Sequence, residues 1–180
     1  MIGAHLSMLE SIAAAPEIGA AELLKPNLDL PPFLRALLVA DGTVTRLLSA
    51  YFAEDIAIGT QEQFEFDMPS PLSHLHLEAG DPAFIRRVEL LGSESGRRYA
   101  SAISLLNPAT LDTKLFHELI DENVGMGEVL RNSARGSYRE VLDIRRESED
   151  SVTRTYAVIL ATRPAILISE RFYLASFLRR

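Results

Sequence analysis

The sequence contains no cysteine. This absence excludes a disulfide framework, a thiolate nucleophile and a cysteine-ligated zinc site, and it fits a reducing, cytoplasmic location. Basic residues are also few, because 18 Lys and Arg stand against 25 Asp and Glu and give a formal net charge of -7. A negative chain repels phosphate backbones, so we expect no nucleic-acid partner.

Long apolar runs are absent too. No segment reaches the ~18 to 20 consecutive apolar residues of a membrane span. The start, MIGAHLSMLESIAAAPEIGAAELL, has an apolar patch but no basic region ahead of it, and it carries Glu10 and Glu17, so it does not match a secretory signal. The sequence therefore predicts a cytoplasmic protein with no membrane partner.

The first fifty residues are rich in Ala and Leu at helical spacing and are broken by several prolines. Within FLRALLVADGTVTRLLSAYF we expect Gly42 to end one helix and Thr43 to cap the next, which makes a tight corner. We divide the chain of 180 residues into an N-terminal helical extension, residues 1–30, and a domain, residues 31–180.

Six later segments have strand length and are bounded by turn residues. They are IAIGTQEQFEF, FIRRVELL, RYASAISLL, YREVLDIR, RTYAVILA and AILISERF. Short connections predict antiparallel hairpins for the second with the third and for the fifth with the sixth. Between these pairs, Leu111, Leu115 and Leu119 mark one helix face. The sequence therefore predicts an α+β domain, a mostly antiparallel sheet of about six strands with helices packed on it.

Two charged residues fall on apolar faces of these strands. Strand alternation places Glu170 with Ile166, Ile168 and Phe172, and Arg86 with Phe84, Val88 and Leu90. Burying an isolated charge costs several kcal/mol, so Arg86 and Glu170 must pair with each other, with other polar groups or with a ligand. A plain buried salt bridge is the structural alternative.

A pair of glycines adds a second kind of anion receptor. In NVGMGEVL, Gly125 and Gly127 flank Met126 immediately before a predicted helix, so backbone amides can face a ligand carboxylate. An ordinary helix-to-helix corner would use the same residues. Together with an inward Arg and an inward Glu, the segment indicates a small acidic ligand.

The ordered segments LLVADGTVTRLL, RRVELLG, ISLLNP, VGMGEVL, REVLDI and RTYAVILATRPAILISERF resemble the chorismate pyruvate-lyase superfamily, especially its branch of divergent bacterial and archaeal 4-hydroxybenzoate synthases. The resemblance runs from Leu37 to Phe177. It implies a carbon–oxygen lyase that cleaves chorismate, its substrate, into 4-hydroxybenzoate and pyruvate. It also implies that neither a metal nor an organic cofactor is needed.

The resemblance implies roles for individual residues. Arg86 would bind the ring carboxylate, and Glu170 would approach the opposite, hydroxyl end of the ring. We expect Glu170 to act either as a general acid or as an ionised group that orients the hydroxyl or assists proton removal. We also expect Glu170→Ala to lower turnover far more than folding stability.

Four further positions follow from the same resemblance. Thr43, Met126 and Gly127 would supply contacts to the ligand carboxylate. Arg139 matches a basic position of the family, although strand alternation does not clearly turn it inward. The chain departs from better-known relatives at Ser104, where they carry an Arg.

Other readings of the sequence remain open. His74 and His76, with Glu78 nearby, have a spacing known from metal ligands, but no third ligand is identifiable and a mobile loop or lid over residues 67–82 is the alternative. The fold also resembles effector-sensing domains of transcription regulators, which bind small acids without transforming them. A third reading is a catalytically silent relative. Nothing in the sequence indicates an oligomeric state.

Overall fold

A six-stranded antiparallel sheet and four helices make up the part of the chain that the computed structural model describes, residues 30–121, 125–133 and 136–178. The helices are α1 Pro32–Val39, α2 Val44–Phe52, α3 Thr113–Ile120 and α4 Met126–Ser133. The strands are β1 Ile56–Asp67, β2 Pro82–Gly92, β3 Arg98–Leu106, β4 Tyr138–Ser148, β5 Ser151–Leu160 and β6 Arg163–Tyr173. The predicted α+β class is confirmed. The predicted N-terminal extension lies outside the described residues except for Leu30, so that division of the chain stays a prediction.

The strand order is β1-β2-β3-β6-β5-β4, and both predicted hairpins are confirmed as antiparallel pairs. The β5–β6 connection is a two-residue turn in which Ala161 and Thr162 both have positive φ, 44° and 76°. Two positive φ values are typical of the tight turns whose twist matches that of the flanking strands. The hairpin therefore forms locally, although neither turn residue is a glycine.

Register across the sheet brings the inward charges into two adjacent rows. The first row is Arg86, Ser104, Ile168 and Tyr156. The second row is Val88, Ala102, Glu170 and Arg154. All these side chains point to the face that the helices cover, because they alternate with residues of the opposite face.

Two hydrophobic clusters cover the ends of that face. Helices α1 and α2 pack over Leu90 and Phe172, while α3 and α4 pack over Phe84 and Ile166. The charged rows lie between the two clusters. The helices therefore cover the middle of the sheet without packing apolar side chains tightly against it. The opposite face packs against a third cluster that includes Leu72 and other side chains of residues 68–77.

Two details of the predictions were wrong. Helix α1 ends at Val39 and Ala40 is extended, so Gly42 does not terminate it. Leu111 lies outside α3, which begins after the Asp112 cap, whose side chain accepts from the Leu115 amide at 2.8 Å. Within residues 67–82, Met68 and the three leucines are buried and Asn107 donates to the Leu75 carbonyl at 3.0 Å, so the segment packs against the sheet; its mobility stays a prediction.

None of the helices in the described residues combines the length and apolar character needed to cross a membrane. Over the same residues, no group of three or more His, Cys, Asp or Glu side chains is placed to hold a metal ion. The cytoplasmic location inferred from the sequence stays a prediction.

Candidate functional site

A cavity of about 70 Å³ lies between the sheet and the helices. That volume is several times the roughly 10–15 Å³ that one water molecule requires. The cavity is lined by residues from β1, β2, β3, β5 and β6, from the edge strand β4, and from the starts of α2 and α4. These are Thr43, Val44, Thr45, Ile58, Arg86, Val88, Leu90, Ala102, Ser104, Gly125, Met126, Gly127, Leu130, Arg139, Tyr156, Ile168 and Glu170. All residues that the sequence singled out for ligand contact therefore line one space.

Small side chains on β3 open this space. Strand β3 lies between β2 and β6, and it contributes Ala102 and Ser104 to the cavity floor. Arg86 on β2 and Glu170 on β6 are separated by one intervening strand and lie in adjacent rows, so their backbones are about 12 Å apart. The distance leaves room for a planar ring above Ala102 and Ser104, with one charged group near each end.

Glu170 forms a buried ion pair with Arg154. The Arg154 Nε and Nη2 atoms both donate to Glu170 Oε2, at 3.2 and 2.6 Å, and the Tyr156 hydroxyl donates to Oε1 at 3.0 Å. Arg154 is fully buried and Glu170 is 6% exposed. Three hydrogen bonds therefore converge on one carboxyl group, two of them from a charged guanidinium.

Both partners of Glu170 have shifted pKa values. Burial opposes the charge of Arg154, but Glu170 and Tyr156 outweigh it and raise the pKa of the guanidinium. Burial raises the pKa of Tyr156 well above its ordinary value, and the Glu170 charge raises it further. The phenol therefore stays protonated and acts as a donor to the carboxylate.

Arg154 also connects the sheet to the helices. Its Nη1 atom donates to the carbonyls of Leu37, Leu38 and Ala40, at 3.0, 3.2 and 3.0 Å. These carbonyls end helix α1, where backbone acceptors lack partners within the helix. The guanidinium also lies over the Tyr156 ring, 4.7 Å from its centroid.

Arg86 is held at the other end of the cavity. It is 2% exposed, its Nη1 donates to the Leu119 carbonyl at 2.8 Å, and its Nη2 contacts Thr60 Oγ1 at 3.4 Å. Arg86 and Glu170 each have their own protein partners, so they do not form the simple salt bridge that the sequence left open. Both nevertheless line the cavity.

Arg139 lies at the edge of the cavity on β4. Its Nη1 donates to the Asp41 carbonyl at 2.7 Å and to the Asp41 carboxylate at 3.2 Å, and its guanidinium is 5.8 Å from the Tyr156 ring centroid. Its Nε is buried and has no hydrogen-bond partner among the described residues. The side chain is thus turned toward the cavity, which strand alternation alone did not establish.

The two helix starts above the cavity contact each other, and we call residues 40–45 and 125–127 the roof. Thr43 occupies the cap position of α2, but its Oγ1 donates to the Gly127 carbonyl at 3.3 Å rather than accepting from an α2 amide. A Cβ on Gly127 would lie 3.0 Å from Thr43 Cγ2, so any larger residue would have to push the corner apart by a few tenths of an ångström. Both helices direct the positive ends of their dipoles toward this region, which favours an anion there.

Arg154 and Tyr156 are the site residues that sequence reasoning missed. Alternation along RTYAVILA places Arg154 and Tyr156 on the same face as each other, but it does not say whether Glu170 shares that face. Their pairing with Glu170 required the β5–β6 register.

Comparison with known proteins gives two results. A family model described as chorismate pyruvate-lyase Rv2949c-like matches residues 38–178. The chorismate pyruvate-lyase of Mycobacterium tuberculosis (strain CDC 1551 / Oshkosh) is 24% identical over 173 residues, which cover 87% of this chain and 85% of that protein.

Solved structures with the same fold come from a different group of proteins. PhnF from Mycobacterium smegmatis aligns with a TM-score of 0.58 and 11% identity over 78% of this chain and 67% of that one. A GntR-family transcriptional regulator from Bacillus cereus aligns with a TM-score of 0.51 and 10% identity over 69% of this chain and 96% of that one. At such identities the similarity shows the fold alone.

Proposed function

This chain belongs to the family described as chorismate pyruvate-lyase Rv2949c-like, and we propose that it cleaves chorismate into 4-hydroxybenzoate and pyruvate. The observation that carries the proposal is the position of Arg86 and Glu170 on β2 and β6, at two ends of one cavity with a floor of small side chains. Chorismate carries a ring carboxylate and, on the opposite side of the ring, a hydroxyl. In this proposal the Arg86 guanidinium binds the carboxylate, and the Glu170 carboxylate accepts from the hydroxyl.

The charge of the cavity suits a dianion. Arg86 and Arg139 bring positive charges to its wall, and the Glu170 carboxylate is paired with Arg154, which lies behind the wall. Arg86 and Arg139 can therefore each face one carboxylate of chorismate, and Arg139 shares its charge with Asp41. Because Arg86 and Glu170 are buried, their charges act more strongly on a ligand than they would in solvent.

We assign the ring carboxylate to Arg86 and the roof. Arg86 offers a planar fork, which matches a carboxylate better than a lysine ammonium does. Met126 and Gly127 stand at the start of α4, where the first amides have no acceptor within the helix. Arg139 would then meet the second carboxylate, on the enolpyruvyl group.

Glu170 acts in this proposal as an ionised group rather than as a general acid, because its carboxyl accepts three hydrogen bonds. It would hold the ring hydroxyl and favour removal of the proton from the carbon that bears it. As the ether carbon–oxygen bond breaks, the ring becomes aromatic and the departing enolpyruvyl group takes up a proton to become pyruvate. The reaction is downhill, so orientation and charge neutralisation are the main requirements.

Incubating the purified protein with chorismate tests the proposal directly. We expect 4-hydroxybenzoate and pyruvate to appear in equal amounts, measured by chromatography and a coupled pyruvate assay. Arg86→Ala should lower kcat/KM by at least ~100-fold, because it removes the carboxylate anchor. Arg87→Ala is the matched control, since Arg87 is exposed on the opposite face of the same strand and should leave turnover unchanged. Chorismate that stays intact would contradict the proposal.

The similarity to a GntR-family regulator favours one second candidate, a module that binds a small acid without converting it. The same cavity and charges would serve that function. Tight binding of chorismate or 4-hydroxybenzoate by calorimetry, without pyruvate release, would replace the lyase proposal by this one.

A further inference from the structure

We propose that Arg154 is a positioning residue that aims one oxygen of Glu170 at the hydroxyl of the ligand. The inference deepens the proposed function and rests on it, because it takes the ligand to be a ring acid with a hydroxyl opposite the carboxylate. Arg154 itself is absent from the residues that line the cavity. It acts through Glu170.

The distribution of donors on Glu170 shows how the aim is set. A carboxylate offers about four lone-pair positions, two on each oxygen. The Arg154 Nε and Nη2 atoms take both positions on Oε2, and Tyr156 takes one on Oε1. The remaining acceptor position is on Oε1, and Glu170 lines the cavity. A ligand hydroxyl that donates to Glu170 therefore meets Oε1.

The other side of Arg154 fixes this geometry to the roof. Nη1 donates to the carbonyls of Leu37, Leu38 and Ala40 at the end of α1, and Thr43 follows three residues after Ala40. Arg154 thereby connects Glu170, which would hold the hydroxyl end of a ligand, to the roof, which would face its carboxylate end. A lysine would keep the charge but has a single nitrogen, which cannot serve Glu170 and the carbonyls together.

Charge neutralisation alone is the competing role for Arg154, and hydroxyl recognition separates the two. Benzoate lacks the hydroxyl but keeps the ring and the carboxylate, so its affinity reports on the cavity without Glu170. The ratio of the benzoate Kd to the 4-hydroxybenzoate Kd then reports on the aim of Glu170. A hydrogen bond to a charged acceptor makes this ratio about 10 or more in the unaltered protein.

Calorimetric titration of both acids into the unaltered protein and into Arg154→Lys tests the inference. We expect Arg154→Lys to bind benzoate within about 3-fold of the unaltered protein, while the preference for 4-hydroxybenzoate falls below about 3-fold. An unchanged preference would overturn the inference, since a lysine charge would then suffice. Loss of benzoate binding would also overturn it, because Arg154 would then support the whole cavity.

A second comparison applies if Arg154→Lys does not fold. In Glu170→Gln, Arg154 can hold the amide oxygen, which fixes the amide nitrogen at the former Oε1 position, where it can donate to the ligand hydroxyl. The double variant Arg154→Met with Glu170→Gln removes the holder and leaves the amide free to turn. We expect the preference for 4-hydroxybenzoate to be at least 3-fold greater in the single variant, and equal preferences would overturn the inference. Chorismate turnover is measured in parallel. If the unaltered protein does not convert chorismate but the Arg154 variant loses its preference for 4-hydroxybenzoate, only the lyase proposal is rejected. If the unaltered protein converts chorismate but the variant keeps its preference, only the role of Arg154 is rejected.

Discussion

At the scale of single residues, the ion pair between Glu170 and Arg154 changes what a substitution at Glu170 should do. The sequence led us to expect that Glu170→Ala lowers turnover far more than stability. In the structure, that substitution leaves the fully buried Arg154 without its carboxylate. Removing one member of a buried ion pair costs about 3–5 kcal/mol. Glu170→Ala therefore confounds chemistry with folding.

Glu170→Gln separates the two effects. The amide oxygen can still accept from Arg154, so we expect the free energy of unfolding to fall by less than it does in Glu170→Ala. Turnover of chorismate should fall at least ~100-fold, because a neutral amide neither holds the hydroxyl as an anion does nor assists proton removal. Urea denaturation and the turnover assay check the two parts. Near-normal turnover would contradict the role of Glu170.

Residue-level predictions succeeded where alternation along one strand was sufficient. Arg86 and Glu170 lie on the helix-covered face because every second residue of a strand shares a face. The partner of Glu170 depended on an irregularity between strands. Pairing starts with Leu160 opposite Arg163, which by simple counting would put Arg154 opposite Ser169, but a register shift between Val158 and Ile159 moves it opposite Glu170. No local pattern in the sequence indicated that shift.

At the scale of secondary-structure elements, the roof depends on the short distance between the first residues of α2 and those of α4. Thr43 donates to the Gly127 carbonyl, and Gly127 has no side chain to separate the two. The sequence identified the glycines and the corner but not their contact. That contact joins residues 84 positions apart.

Gly127→Ala should loosen the roof without unfolding the protein. The added Cβ lies 3.0 Å from Thr43 Cγ2 and 3.6 Å from Arg139 Nη2, so the corner must shift by a few tenths of an ångström. Alanine gains about 1 kcal/mol in helix propensity, which offsets the crowding. We expect an unchanged urea midpoint and a 4-hydroxybenzoate affinity lower by about 10-fold, measured by calorimetry.

The matched control for Gly127→Ala is Gly42→Ala in the same corner. A Cβ on Gly42 meets Leu47 Cδ1 at 3.6 Å, which is an ordinary contact. Its affinity and stability should therefore equal those of the unaltered protein. Equal affinities for the two alanine variants would show that the roof contact does not shape the site.

The β2–β3 hairpin is held by a carboxylate from outside it. Glu54 follows α2 and accepts from the Tyr99 hydroxyl, from the Ser95 amide at 3.0 Å, from the Ser95 hydroxyl at 2.8 Å and from the Glu94 amide at 3.2 Å. These donors, with Tyr99 first and Ser95 next, lower the pKa of Glu54 from 4.5 to about 2. The hairpin turn is therefore coupled to the end of α2.

This lowered pKa predicts a specific loss of stability in acid. Because the folded protein holds the Glu54 carboxylate ionised, its contribution is present above about pH 4.5 and disappears as the pH falls toward 2. Glu54→Gln should therefore be less stable than the unaltered protein at pH 6, and the difference should vanish near pH 2. Urea midpoints across this range, with the exposed Glu65→Gln as control, measure the effect. A difference that is independent of pH would contradict it.

At the scale of the whole molecule, the fold class was predictable but the strand order was not. The six strands and their hairpins follow from local alternation and short turns. The sheet order β1-β2-β3-β6-β5-β4 places β6, the last strand in the chain, beside β3. That pairing joins Ala102 with Glu170 and Ser104 with Ile168, and so builds the cavity. It depends on contacts distant in sequence, which periodicity does not encode.

Ligand binding should stabilise the entire domain, because a ring in the cavity contacts the sheet, both helix starts and β4 at once. At a concentration 100 times its Kd, a ligand adds about 2.7 kcal/mol to the free energy of unfolding. We expect 4-hydroxybenzoate to raise Tm in proportion, measured by calorimetric melting. Arg86→Ala should lose this shift and Arg87→Ala should keep it. An equal shift in both variants would mean that the acid binds elsewhere.

The floor of Ala102 and Ser104 has a consequence for the life of the protein. At the centre of the helix-covered face, where most domains would bury a bulky side chain, this chain supplies little volume of its own. A bound aromatic ring would fill this volume and complete the core, as a bulky side chain does in most domains. Scarcity of that metabolite would then shorten the survival of the folded molecule against heat and proteases.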